Sequence, residues 1–495
     1  MKNVRIITDN GLITGIDNCG GIEIITDGAI ERFDNCEILP GLTDSHCHVW
    51  GLGMMNSGMD ISGKNNARDT IALARQNNFM RGNWVVGRGW NNESWENKSL
   101  PDKSATDEIF PLNPLALTRV DGHAMWCNSK ALEAAGINHT TIEPDGGKIL
   151  KDGSGNPTGI LIDNAMNLIE KLIPAYSAQQ LEEFIFKGLD ISMKAGLTAV
   201  HDMDVSPEMI DIYHRLNNQG KLPIRVYAYA SCQNNEAFEY NINHYKSEMF
   251  TVQGIKLFAD GALGSYGAAM LDEYNDKPGE RGLLILDSEM MLQKILKADD
   301  SGLDTAIHAI GDRANHEVLD ACQKLRELRP ETKSKLRIEH AQIVDKTDLK
   351  RFKELGVIAS VQPIHFVSDS EMALKRLGSN RLANSGYPWQ SLWDAGAMMI
   401  GGSDFPIESH NPFKGINAFT GRENSLDISE DLLSEKLDID SALKCYTSNP
   451  YRALGINNIG ELRIGYKADF IIFEGSYHDS IPEIKASFIN GKRIY

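Results

Sequence analysis

Positive charge is scarce in this chain of 495 residues. Its 50 lysines and arginines are outnumbered by 68 aspartates and glutamates, which gives a formal net charge of −18. Such a surface does not attract phosphate backbones or acidic lipids. We therefore expect neither nucleic acid nor a membrane among its partners. A pocket can carry a charge opposite to that of the surface as a whole, so the net charge does not exclude an anionic substrate.

Long apolar runs and paired cysteines are also missing. No segment approaches the roughly 18 uncharged apolar residues that a membrane-spanning helix needs. The opening residues, MKNVRIITDNGLITG, have neither the apolar stretch nor the small-residue cleavage site of a secretion signal. The seven cysteines are scattered and form no CxxC pair, which indicates reduced thiols and excludes a structural zinc finger. We expect a cytoplasmic protein.

The two ends of the chain share a texture that the middle lacks. Both hold short apolar runs broken by Gly, Asn and Asp, which are typical of small strands joined by tight turns. We predict one small composite β domain, a β-sandwich, from residues 1–40 and 456–495. The runs lie at residues 4–8, 21–26, 29–33, 467–473 and 486–495.

Between the ends, apolar runs alternate with helix-compatible stretches such as 179–195 and 288–299. Alternating strands and helices predict a parallel sheet, and eight strands are the number in a (β/α)8 TIM barrel. Residues 41–455 are therefore predicted to form an α/β barrel domain. The predicted strands are residues 42–46, 197–202, 224–230, 254–259, 303–308, 336–340, 357–361 and 398–403.

The gap between the first two predicted strands spans about 150 residues, far more than a usual crossover connection. Residues 54–181 are therefore predicted to be an insertion with a structure of its own. No internal repeat or low-complexity tract accompanies it.

Metal-competent side chains recur at the ends of the predicted strands. The carboxyl ends of barrel strands meet on one face, so these side chains are predicted to converge there. Taken singly, each has a structural alternative, because a lone histidine is more often hydrogen-bonded in a core and an aspartate often caps a helix. A lysine inside an apolar strand is harder to explain, since a buried amine is unfavourable unless it is paired or modified. The candidate ligands are His46, His48, Lys256, His308, His340 and Asp404.

Several motifs carry a resemblance to a known family over essentially the whole chain. The stretch LPGLTDSHCH at 39–48 resembles the opening barrel motif of the amidohydrolase superfamily. Other stretches resemble the branch called amidohydrolase family 3, which includes proteins similar to N-substituted formamide deformylase. They are VQGIKLFADGALGS (252–265), AIHAIGDRA (306–314), RIEHA (337–341), GGSDFPI (401–407), TRVDGHAMWCN (118–128) and GYKADFIIF (465–473).

This resemblance implies a role for each of the six candidate ligands around one or two divalent metal ions. The two histidines of the first strand would bind the more buried ion together with Asp404, which would also act as general base on a metal-activated water. Lys256 would carry a CO2-derived carboxylate and bridge two ions, and His308 and His340 would bind the second. Imidazole and carboxylate ligands favour Zn²⁺, with Mn²⁺, Fe²⁺ or Co²⁺ as alternatives. An unmodified Lys256 ammonium would instead leave a site for one metal.

The sequence indicates the residues that would bind the substrate less clearly than it indicates the metal ligands. The resemblance places Asp121 and His123 near the substrate, where His123 could hydrogen-bond a carbonyl or an oxyanion, although a structural histidine in a turn is an equal alternative. Arg313 could pair with a substrate carboxylate, but Asp312 is an alternative partner. Trp90 could line an apolar pocket, although core packing is the more common use of tryptophan. The weaker candidates for the pocket rim are His201, His365 and His410.

Three functions remain open at this stage. The first is an amidohydrolase that cleaves the non-peptide C–N bond of an amide, N-acyl or N-formyl compound. The second is a hydrolase of the same superfamily that acts on a cyclic amide, ester or lactone. The third is a catalytically silent regulatory or binding protein, against which the complete ligand set argues. The expected partner is a small-molecule substrate. A homodimer is the candidate oligomeric state.

Overall fold

The chain divides into two compact units. One unit comprises Met1–Gly51 and Gly188–Tyr495, and the other comprises Leu52–Lys187. The computed structural model describes residues 1–77, 79–120, 123–240, 242, 245–422, 434–477 and 481–495. Within those ranges, no helix has both the length and the apolar character needed to cross a membrane.

Eight parallel strands form the central sheet of the first unit, and each strand pairs with the next one along the chain. Most strand residues are buried, as expected for a parallel sheet. The α/β barrel predicted from the sequence is confirmed, including the long insertion after its first strand. In order, the barrel strands are Leu42–Cys47, Leu197–Val205, Arg225–Ser231, Phe250–Phe258, Asp304–Ala309, Leu336–His340, Val357–Val361 and Met398–Gly401.

Polar contacts join the first and eighth barrel strands where the barrel nearly closes. The backbone N–H of Asp404 donates to the carbonyl of His46 at 2.7 Å. The buried Asp44 carboxylate accepts from the backbone N–H of His46 and of Ser403, each at 3.1 Å, and from the Ser403 hydroxyl at 2.6 Å. A Cβ at Gly402 would lie 2.5 Å from the His46 nitrogen, so only glycine permits this approach.

Helices connect and follow the barrel strands. The predicted helix at 288–299 is observed as Ser288–Asp300, and the Asp287 carboxylate caps it by accepting from the Met290 N–H at 2.8 Å. The other helices of this unit are Pro207–Asn218, Glu236–Glu239, Asp312–Leu328, Leu349–Leu355, Pro363–Leu377, Ser379–Ser385, Trp389–Asp394, Pro412–Gly421, Ile439–Tyr446 and Ser448–Ala453.

Both ends of the chain contribute strands to a β-sandwich, which confirms that part of the predicted fold; its bounds at 1–40 and 456–495 stay a prediction. One sheet has the order Leu12–Asn18, Val4–Asp9, Ile22–Thr26 and Ala29–Phe33, and the other has the order Lys492–Arg493, Glu483–Ile489, Phe470–Glu474 and Cys36–Pro40. Ile6 and Ile24 of the first sheet share one buried cluster with Phe470 and Phe488 of the second. Alternating apolar residues therefore hold the two sheets together.

The second unit is organised around a six-stranded sheet, whose individual strands the sequence interpretation did not assign. Its core contains the buried side chains of Trp90, Trp95 and Trp126. The strand order is Gly147–Lys151, Pro157–Asp163, Ala124–Cys127, Leu115–Arg119, Trp84–Trp90 and Met80–Arg81. The helices are Ala67–Asn77, Lys103–Ile109, Ser129–Ala134, Asn167–Glu170 and the 3-10 turn Asn92–Ser94. Val49–Ser57 and Ala178–Lys194 contain the two points at which the chain passes between the units.

Candidate metal centre

A cavity of about 440 Å³ lies at the carboxyl ends of the barrel strands. The six side chains that the sequence marked as candidate ligands all line it, although they come from distant parts of the chain. Convergence of strand ends on one face of the barrel accounts for this assembly. These lining residues are His46, His48, Lys256, His308, His340 and Asp404.

The two histidines of the first barrel strand meet Asp404. His48 Nε2 lies 3.1 Å from Asp404 Oδ1, and His46 Nε2 lies 3.5 Å from the same oxygen. The ligand atoms of these three residues all lie within 4.8 Å of one another. The Nδ1 atom of His48 donates to the carbonyl of Met203 at 3.1 Å. Because a carbonyl only accepts, Nδ1 carries a proton, and Nε2 is the nitrogen that faces Asp404 or a metal ion.

A buried ion pair orients His46 from behind. His46 Nδ1–H donates to Glu339 Oε2 at 2.6 Å, and the Arg337 guanidinium donates to both Glu339 oxygens, at 2.5 and 3.0 Å. Arg337 is itself held by the carbonyl of Ser45 at 2.6 Å and the hydroxyl of Ser360 at 2.8 Å. Burial alone would raise the pKa of Glu339, but Arg337 and His46 outweigh it and hold that pKa well below its usual value. An ionised Glu339 fixes the tautomer of His46 and turns Nε2 toward the cavity.

Three further histidines gather beside this group. The ring centroids of His308 and His340 are 4.5 Å apart, and those of His46 and His340 are 5.0 Å apart. His365 Nε2 lies 3.8 Å from Asp404 Oδ2, and His340, His365 and Asp404 form a second group with the geometry to hold a metal. The sequence had marked His365 only as a weak candidate for the rim.

Two site residues have left-handed backbone conformations, with φ of 75° at His340 and 59° at Asp404. Such values are uncommon for residues other than glycine and recur where a site demands them. Side chains of a strand alternate between faces, yet the adjacent residues Glu339 and His340 both reach His46. The left-handed turn at His340 is what allows two consecutive side chains to face the site.

The residues present fit a divalent metal ion. Over the part of the chain that the structure describes, four buried nitrogen atoms that face the cavity have no hydrogen-bond partner, a costly state without a ligand. Burial lowers the pKa of His308 to about 3 and that of His340 well below its usual value, so both are neutral, as a metal ligand requires. The four atoms are Lys256 Nζ, His308 Nε2, His340 Nδ1 and His365 Nε2.

Lys256 is buried in the fourth barrel strand with its amine over the Phe258 ring, 4.5 Å from the centroid. Burial lowers the pKa of this amine to about 8. A larger fraction is therefore neutral near pH 7 than for an exposed lysine. The neutral amine is the form that can take up CO2.

The predicted substrate-side residues are placed differently. Arg313 is exposed on the first turn of the helix Asp312–Leu328 and is not among the residues that line the cavity. The Asp312 carboxylate accepts from the backbone N–H of Leu271 at 2.7 Å and of Arg313 at 2.9 Å. This aspartate therefore organises backbone beside the cavity.

The remaining candidates belong to the second unit. His123 is exposed, and its Nδ1 lies 2.8 Å from Asp163 Oδ1. Trp90 is fully buried in the core of that unit, where its indole N–H donates to the Leu117 carbonyl at 2.8 Å. Asp121 lies outside the described residues. The roles proposed for them stay predictions.

Sequence reasoning missed two carboxylates of the centre, Glu339 and Asp260. Asp260 Oδ1 lies 3.5 Å from His308 Nε2 and accepts from the Ile310 N–H at 3.0 Å, while Oδ2 accepts from the Gly311 N–H at 2.8 Å. Burial raises the pKa of Asp260 to about 7 in spite of these bonds. A charge inside a buried strand, the signal that singled out Lys256, was also present at Glu339.

Comparison with known proteins agrees with the geometry and confirms the resemblance. The sequence model of the Amidohydrolase family matches residues 34–495. The chain is 32% identical to Protein LONG AFTER FAR-RED 3 of Arabidopsis thaliana, over 100% of this chain and 88% of that protein. It is 26% identical to the N-substituted formamide deformylase of Arthrobacter pascens, over 88% of this chain and 83% of the enzyme. The crystal structure of an uncharacterised metal-dependent hydrolase from Pyrococcus horikoshii OT3 superposes with a TM-score of 0.78 at 26% identity, covering 96% of this chain and 97% of that one.

Proposed function

This chain belongs to the amidohydrolase family, and from that premise we propose that it hydrolyses the C–N bond of an amide, N-acyl or N-formyl compound. It is a metal-dependent hydrolase with an α/β barrel. The observation that carries the proposed reaction is the group of Asp404, His46 and His48. It lies in a cavity lined by buried nitrogen atoms that have no hydrogen-bond partner among the described residues. The name of the Arthrobacter pascens relative specifies an N-substituted formamide, which supports a C–N bond as the target.

The proposed cofactors are one or two divalent ions, with zinc preferred, and Lys256 would carry a CO2-derived carboxylate as a further ligand. His46, His48 and Asp404 would hold one ion, and His308 and His340 the other. A bound divalent metal supplies a Lewis acid that polarises a carbonyl and lowers the pKa of water to about 7. In this proposal Asp404 is the general base, because nearby histidines keep its carboxylate ionised.

Burial would raise the pKa of Asp404, but His46 and His48 outweigh that effect and hold the pKa well below its usual value. Asp404 accepts a proton from water as the water oxygen bonds to the substrate carbonyl carbon. It then returns the proton to the amine nitrogen as the C–N bond breaks, so that a carboxylic acid and an amine leave.

Other groups of the chain orient the two histidines that take part in this step. Glu339 holds His46, and the Met203 carbonyl holds His48, which keeps both Nε2 atoms directed to the site. On the substrate side, His123, Asp121, Arg313 and Trp90 remain the sequence-based proposal. A cytoplasmic location is also proposed, in keeping with reduced thiols.

The test is an assay of purified protein with measured metal content. N-formyl and N-acetyl amides are paired with the esters of the same acids, and each is tried with and without a chelator. We expect amide turnover that the chelator abolishes and Zn²⁺ restores. Turnover of the esters alone would favour the second function, and full metal content with no turnover of either series would favour a binding protein.

A further inference from the structure

The cavity wall carries two carboxylates in addition to the candidate ligands. Asp369 lies on the helix Pro363–Leu377, which follows the seventh barrel strand, and Glu408 follows the eighth strand. Among the described residues that line this cavity, Lys256 is the single lysine or arginine, and it lies with the candidate metal ligands. Asp369 and Glu408 therefore add negative charge to the part of the cavity wall that they line.

Neither carboxylate is paired with a lysine or arginine among the described residues. In the described ranges, no lysine or arginine forms an ion pair with Asp369 or Glu408, and Glu408 accepts a hydrogen bond from the Ser368 hydroxyl. Burial raises the pKa of Asp369, the nearby His365 opposes this rise, and the negative charge of the neighbouring Glu408 adds to it. Two neighbouring carboxylates that no described lysine or arginine neutralises favour the approach of a cation.

Apolar side chains line the space around these carboxylates. Phe258, Leu263, Ile310, Met372 and Ile407 line the same cavity of about 440 Å³. A volume in this range accepts a small molecule whose body is apolar and whose ends are polar. Such a molecule would place one polar end at Asp404 and the other at the acidic pair.

We propose that the substrate is an N-acyl or N-formyl amine whose amine portion carries a second, cationic nitrogen that Asp369 and Glu408 bind. This inference rests on the proposed function. The acyl carbon lies at Asp404, and an apolar chain runs along the wall to the ammonium or guanidinium group. An N-acyl amino acid would instead bring a carboxylate to two carboxylates, and like-charge juxtaposition in a partly buried site is unfavourable.

The test compares three substrates of matched length under the same metal loading. They are the mono-N-acetyl derivative of 1,4-diaminobutane, N-acetylbutylamine and 4-acetamidobutanoate, which are cationic, neutral and anionic. We expect kcat/KM for the cationic substrate to exceed that for the anionic one by at least about tenfold, a difference of about 1.4 kcal/mol. Asp369→Asn and Glu408→Gln should each lower this ratio several-fold.

Glu371→Gln is the matched control. Glu371 is exposed on the same helix as Asp369 and is not among the residues that line the cavity, so its loss removes one negative charge and should keep the ratio. Metal content measured for every variant should equal that of the unmodified protein. Loss of metal from Asp369→Asn or Glu408→Gln would make the pair metal ligands and overturn the proposal.

The remaining outcomes separate the two proposals. If the anionic substrate is hydrolysed as well as the cationic one, the substrate class is wrong while C–N hydrolysis stands. If none of the three amides is hydrolysed but esters are, C–N hydrolysis is wrong and the substrate class fails with it.

Discussion

Two carboxylates of the centre are kept ionised in different ways, and this difference separates their roles. The Arg337 guanidinium holds Glu339, which is fully buried behind His46. Asp404 lines the cavity, and its carboxylate contacts the Nε2 atoms of His46 and His48. Glu339 is therefore a positioning residue, and Asp404 is the carboxylate that can reach a reacting molecule.

Replacing Asp404 with asparagine should abolish most turnover. The amide cannot take up a proton, and loss of a general base typically reduces the rate by about 10²–10⁴-fold. Asparagine tolerates the left-handed conformation found at this position, so the fold should persist. The measurements are kcat and the thermal unfolding curve followed by circular dichroism. A folded Asp404→Asn protein with near-normal kcat would remove Asp404 as the base.

Replacing Glu339 with glutamine should weaken metal binding and also lower the stability of the folded protein. Loss of a carboxylate that orients a ligand histidine commonly lowers metal affinity about 10–100-fold. The Arg337 charge would also lose its buried partner, which costs about 3–5 kcal/mol in unfolding free energy. Chelator competition and urea unfolding measure the two effects. Unchanged affinity in the variant would show that Glu339 serves folding alone.

At the scale of elements, the barrel strands bounded by clear apolar runs could be predicted closely. The sixth and seventh strands occupy 336–340 and 357–361, as predicted. The eighth ends at Gly401, two residues before the prediction, because the chain turns after Gly402 and the N–H of Ser403 donates to Asp44 of the first strand. Contacts between residues so distant in sequence give no local signal.

In the insertion, the spacing of apolar residues does not predict the secondary structure. Its sheet mixes a parallel pair, Trp84–Trp90 with Leu115–Arg119, with antiparallel neighbours and very short strands. Short apolar runs of this kind do not distinguish strand from buried helix. Trp90 illustrates the same limit, since a tryptophan in a core and one in a pocket look alike in sequence.

A buried ion pair fastens the β-sandwich to the barrel. Arg225 of the third barrel strand donates to both oxygens of Asp469, at 2.7 and 3.1 Å, and both side chains are 1% exposed. Asp469→Asn removes the buried counter-charge of the guanidinium and leaves it only the half-exposed Glu248 at 3.5 Å, so we expect a loss of up to about 3–5 kcal/mol in the free energy of unfolding. Urea unfolding monitored by fluorescence measures it.

The matched control for that variant is Glu31→Gln. Glu31 pairs with Arg493 at 2.8 Å, but these side chains are 40% and 46% exposed. Exposed pairs contribute about 0.2–1 kcal/mol, so this change should be small. Equal losses in the two variants would show that burial does not set the strength of the Arg225–Asp469 pair.

Over the whole molecule, the candidate ligands could be predicted because each stands inside, at the end of or just after a recognisable strand, whereas their supports could not. His46 and Glu339 are 293 positions apart, and Arg225 and Asp469 are 244 positions apart. Pairing at such distances follows from barrel closure and from the joining of the two chain ends. Sequence reasoning therefore predicts which residues face the cavity better than what holds them there.

The same architecture predicts that metal and folding are linked. The buried, unpartnered nitrogen atoms of Lys256, His308, His340 and His365 destabilise the folded protein unless a ligand satisfies them. A ligand that binds only the folded state stabilises it by about 2.7 kcal/mol at 100 times its dissociation constant. Chelation should therefore lower the urea midpoint, and Zn²⁺ should restore it. His46→Ala should abolish this response, whereas His139→Ala, an exposed histidine of the second unit, should keep it. Equal midpoints with and without metal in the unmodified protein would mean that the folded barrel holds no metal at this site, and the hydrolytic proposal would then lose its basis.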